Sequence, residues 1–151
     1  MSKQTEILGA LPLHAENGLL SQEGWARHPY WRYRRSAVPA SAWKIKEWDY
    51  YAVMSADQQF AIGLTASNLG YAGLYAICFV DLANGHSYQT DALQALPLAR
   101  HAFPEQAADG EVRFDSKQLS LHFITEAGQR RLHFASSVIQ GPNGRGIEGE
   151  I

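Results

Sequence analysis

Glu47 and Asp49 stand two positions apart in a run that alternates like a β-strand, WKIKEWDYYAVMS. Period two puts both carboxylates on one strand face, about 6–7 Å apart. Inside a pocket, burial would raise the pKa of one and leave it a proton donor. The bland alternative is pairing with Arg32, Arg34 or Arg35 just upstream. His101 is a third candidate donor, on an irregular segment bounded by Pro97 and Pro104. Trp48, Tyr50, Tyr71 and Tyr75 can wall a cavity for an apolar molecule, because tyrosine offers an apolar body and a hydroxyl. As plain core residues they need no function.

Four standard catalytic signatures are missing: no GxxxxGK[ST], HExxH, GxSxG or CxxC occurs. No two of the six histidines stand two or four positions apart. His122 and His133 come opposite each other if residues 118–137 form a hairpin turning at Ala127-Gly128. Two facing histidines can bind a metal when a third ligand joins them. None is evident, so a cross-strand pair on a solvated face is expected, and no metal or other cofactor is assigned.

Positioning these residues falls to one domain of 151 residues, long enough to bury a core. Apolar residues at 46% and charged residues at 19% describe a globular chain, and a net charge of −2 argues against wholesale nucleic-acid binding. Cys78 is the only cysteine, so no internal disulfide or cysteine zinc site can form and a reducing compartment fits. The opening MSKQTEILGALPLHAENG holds no apolar core of signal-peptide length, and no apolar run approaches the roughly 20 residues of a membrane helix. A soluble, cytoplasmic protein is the expectation.

Residues 1–42 read as an irregular arm and wrapping segment, with a turn at Glu16-Asn17-Gly18. The LPLH at Leu11 to His14 can lie against the domain as an added strand. Residues 25–51 hold all four tryptophans and six of the thirteen Lys and Arg. This flank either wraps the domain or offers Arg32, Arg34 and Arg35 to an anion or partner.

Residues 43–151 read as an antiparallel β unit. Three runs, 43–54, 60–67 and 71–82, follow one another, with turns at Ala56-Asp57-Gln58 and after Ser67. The third is apolar on both faces, as a strand covered on both sides would be. A turn at 81–85, a short strand at 86–90 and a loop over 91–109 come next. Strands at 111–115, 118–125 and 130–137 resume the alternation. Residues 140–146 read as loop, and 147–151 as an edge strand. The fold class is therefore all-β, an antiparallel meander forming a barrel or a strongly curved sheet, with a sandwich as the alternative.

Arg34-Arg35-Ser36, Trp43-Lys44-Ile45-Lys46-Glu47-Trp48-Asp49-Tyr50-Tyr51 and Leu69-Gly70-Tyr71-Ala72-Gly73-Leu74 carry a resemblance. With LPLH at Leu11, Gly24-Trp25 and LPLAR at Leu96, they make the chain resemble the N-terminal half of the family called domain of unknown function 2804. Members of that family generally run to about twice this length, so the resemblance implies a half-protein lacking its second domain. It also implies kinship with lipocalin-like, carotenoid-hydratase-like proteins, whose barrels hold apolar molecules.

Three functions follow as expectations. The first is a lipocalin-like module that binds an apolar or amphipathic small molecule. The second is an interaction or structural half-protein that pairs with a second domain or with itself. The third is a hydratase- or isomerase-type enzyme using Glu47, Asp49 or His101. Neither a membrane span nor a nucleic-acid partner is expected.

Overall fold

The arm folds back on itself where Asn17-Gly18 supplies a positive φ. Gly18 sits at φ 79°, and Ala15 N–H donates to the Leu19 carbonyl at 2.9 Å. This reversal lets β1 (Leu11–Pro12) run parallel to β2 (Trp31–Arg32). LPLH therefore pairs with the chain's own aromatic-basic flank, not with the main sheets. A single 3-10 turn at Arg35–Ala37 follows, and no α-helix forms among the described residues. The structure, a computed structural model, describes residues 4–95, 103–141 and 143–151.

From Glu47 the period-two alternation resolves into two four-stranded antiparallel sheets. The first orders β3 (Glu47–Met54), β4 (Phe60–Asn68), β5 (Ala72–Asp81) and β6 (His86–Ala95) side by side. The second contains β7 (Gly110–Asp115), β8 (Leu119–Glu126), β9 (Gln129–Gly141) and β10 (Gly144–Glu150), again in sequence order. Strand makes up 56% of the described residues.

The sheets face each other across one core. Ile62, Leu64, Tyr75 and Ile77 come from the first sheet, and Leu119, Leu121, Phe123 and Phe134 from the second. Tyr75 stacks on Phe114 with ring centroids 3.7 Å apart, and Tyr51 meets Phe123 edge-on at 5.0 Å. Burying each such side chain contributes about 1.5–3 kcal/mol, and aromatic pairing adds about 0.5–1.5 kcal/mol.

Several expectations are corrected. The sheets do not close into a barrel and are only moderately curved. Closure needs an unbroken ladder, but among the described residues no strand of the β3–β6 sheet pairs with one of the β7–β10 sheet. Residues 103–109 carry no strand, so the second sheet starts afresh. The fourth strand continues through Ala95, five residues past Thr90, because β5 is long enough to pair with it throughout. Likewise β9 and β10 take up most of the stretch expected as loop over 140–146. Finally, β5 carries the core on one face only. No described strand packs over the other, where Leu74, Ala76, Cys78 and Val80 are half-buried.

Candidate functional site

Parity along β3 sorts the candidate residues. Glu47, Asp49, Tyr51 and Val53 face inward, and Trp48, Tyr50, Ala52 and Met54 face outward. The two carboxylates therefore share a face, as their spacing requires. Trp48 and Tyr50 stand on the opposite, exposed face. Tyr75 lies in the core at 2% exposure, and Tyr71 is exposed at the turn before β5, with the Lys46 ammonium 4.1 Å from its ring centre. The four aromatic candidates thus do not line one cavity. His101 and the LPLAR segment lie outside the described residues.

Glu47 is held from the arm. The Tyr33 hydroxyl donates to its Oε1 at 3.0 Å, and the Arg35 guanidinium pairs with its Oε2. Arg35 is fixed in turn, because its backbone N–H donates to Glu105 Oε1 at 2.8 Å. Gln106 Nε2 donates to the Tyr33 carbonyl at 3.0 Å. Of the three candidate arginines, Arg35 thus reaches a carboxylate, while Arg32 and Arg34 are exposed.

Asp49 sits one row further along the same face, opposite Ala66. Burial pushes its carboxyl above the usual range, and the Arg130 guanidinium opposes part of that rise. Register places Asn68 opposite Glu47, and Gln94 two strands beyond it. The Gln94 Oε1 is buried without a protein partner. One end of the inner face is therefore polar: an ion-paired carboxylate, a second one whose charge burial disfavours, and two amides. The sequence reading missed Tyr33, Asn68, Gln94 and Arg130. Of these, Tyr33 alone carried a local signal, its position beside the arginines.

At the other end of β3 the inner face is apolar. A cleft of about 430 Å³ opens between the sheets, lined by Val53, Ile62, Phe79, Phe134, Ile147 and Ile151 among others. No sequence motif marks it, because its walls come from five strands and Ile151.

On the outer face of the second sheet, His122 pairs with His133 in register, as the hairpin arithmetic required. Each has its own carboxylate: His122 Nε2 lies 2.7 Å from Glu111 Oε1, and His133 Nδ1 lies 3.2 Å from Glu150 Oε2. Among the described residues no group of three or more His, Cys, Asp or Glu is placed to hold a metal ion. Among the described residues no helix is long and apolar enough to cross a membrane.

Together these features define an all-β protein of two facing antiparallel sheets, with a carboxylate pair at one end of β3 and an apolar cleft at the other. The chain belongs to the family described as domain of unknown function (DUF2804), whose model matches residues 4–151. No curated protein and no solved structure matches it.

Proposed function

We propose that the chain is a binding module for an apolar or amphipathic small molecule, seated in the cleft between the sheets. The observation that carries this reading is the cleft itself, about 430 Å³ with mostly apolar walls, within the usual size of a small-molecule site. Phe60 at 43% and Ile151 at 45% exposure leave apolar surface at its mouth. A ligand with an apolar body fits such walls. The reading keeps the lipocalin-like function expected from the sequence and moves its seat from a closed barrel to an open cleft. A lone half-buried thiol, Cys78, supports a reducing, cytoplasmic setting.

The test is fluorescence of a solvatochromic apolar probe, followed by displacement with long-chain acids, alcohols and amines. Ile147→Glu is expected to weaken probe binding at least about tenfold, the cost of a charge on an apolar wall. Trp48→Glu, on the other face, should leave it unchanged. Equal probe binding by wild type and Ile147→Glu would sink the proposal.

A second reading rests on Asp49. A half-buried carboxyl whose pKa burial raises, with the Arg130 cation opposing part of the rise, is suited to general acid catalysis of hydration or isomerisation. Asp49→Asn should abolish any such turnover while leaving probe binding in the cleft intact.

A further inference from the structure

We infer that the outer face of the β3–β6 sheet is the contact surface of a two-fold homodimer. The face is unusual in what it leaves in water. Trp48, Tyr50, Met54 and Leu93 are 63%, 60%, 58% and 70% exposed. With Tyr71 at the rim, these side chains present on the order of 600 Å² of largely apolar surface, at the top of what a monomer shows as its largest patch. A standard interface takes about 800 Å² from each partner, so little beyond this patch is needed.

The arrangement is self-complementary. The bulky groups lie on the two edge strands, and the middle strands carry small ones. The register gives one row of Trp48, Ser67, Leu74 and Leu93, and the next of Tyr50, Thr65, Ala76 and Asp91. A two-fold axis parallel to the strands, midway between β4 and β5, lays β3 of one copy over β6 of the other and keeps each row on itself. Trp48 then meets Leu93 of the second copy, and the Tyr50 hydroxyl meets its Asp91 carboxylate. Each contact occurs twice, as an isologous interface requires. Aligned packing of two sheet faces leaves about 10 Å between them, a gap the edge side chains can span. Tyr50 already leans inward, so that a methyl carbon at Gly63 would stand 3.3 Å from its hydroxyl. Asp91 is the one charged group among the outward positions of the four strands, so a copy of this face buries one carboxylate and gives it a donor.

Sedimentation velocity over a concentration series of the intact chain tests this. The expected result is a monomer–dimer equilibrium that Trp48→Glu and Leu93→Lys each weaken at least about tenfold, as changes at central anchors do. The double variant Trp48→Glu with Leu93→Lys should regain dimer, because the axis places each new carboxylate opposite a new ammonium. Leu20→Glu, an exposed apolar site in the arm, should change nothing. If a variant loses its cooperative melt, the wild type supplies the second measurement. Alkylation of Cys78, on the floor opposite Gly63, should slow as protein concentration rises. The inference is overturned by a monomer up to about 1 mM, by a dimer that ignores both single variants, or by a face that binds only lipid vesicles or a different protein. Ile147→Glu, in the cleft between the sheets and away from this outer face, empties the cleft and leaves the dimer, so the two proposals fail separately.

Discussion

Tyr33 donates its hydroxyl to Glu47 at 3.0 Å, and with Arg35 it ties the arm to the first strand of the main sheet. Tyr33→Phe removes that donor without changing ring volume. A hydrogen bond to a charged, half-buried acceptor contributes about 1–2 kcal/mol. The expected outcome is a lowered urea midpoint with an unchanged slope. Glu47→Ala should cost more, because it also frees Arg35. A neutral Tyr33→Phe would show that the arm is not anchored there.

Asp49 sets a pH dependence. Its folded-state pKa lies above the unfolded one because burial disfavours the charge. The folded chain therefore binds the proton more tightly, and the carboxyl erodes stability as pH rises from the unfolded value through the folded one. Asp49→Asn should raise the Tm at neutral pH, and the gain should vanish below about pH 3.9, the ordinary aspartate value. Arg130→Ala should move the Asp49 titration still higher, read by carboxyl NMR. A downward move would reverse the assignment.

His122 and His133 stack with ring centroids 5.7 Å apart, each beside its own carboxylate. A double-mutant cycle with alanine at both should return a coupling of about 0.2–1 kcal/mol, the range of cross-strand neighbours. Additive single effects would mean that the rings ignore each other.

Gly149 lies under the Phe134 ring, where an added Cβ would overlap it. Gly149→Ala must displace either the ring or β10, an overpacking cost of about 1–3 kcal/mol. Amide exchange should quicken along β10 and remain slow in β8, which has strands on both sides. Uniform protection after the substitution would count against this placement.

Local chemistry made much of the meander legible. Ala56-Asp57-Gln58 and the 81–85 turn fall where their residue types demand, and 122 plus 133 found the right register because a tight hairpin fixes opposite partners. Long-range pairing was not legible. Whether β6 meets the next strand decides barrel against two sheets, and nothing in HSYQT or EVRFD reports it. The walls of the candidate site met a different limit. Trp48 and Tyr50 alternate with Glu47 and Asp49, so one strand cannot aim all four at one ligand. Period two says this directly, but not which face the second sheet will cover.

The outer side of β10 bears on the behaviour of concentrated protein. It is an edge strand, and an unpaired row of backbone donors and acceptors is a template for another chain. Here the template is poor. A bulge shifts the register between Arg145 and Ile147, Gly144, Gly146 and Gly149 add no β-branched bulk, and Glu148 and Glu150 bring like charges to any copy that docks in line. Fibril growth through this edge is disfavoured, so the chain can keep an open sheet without polymerising along it.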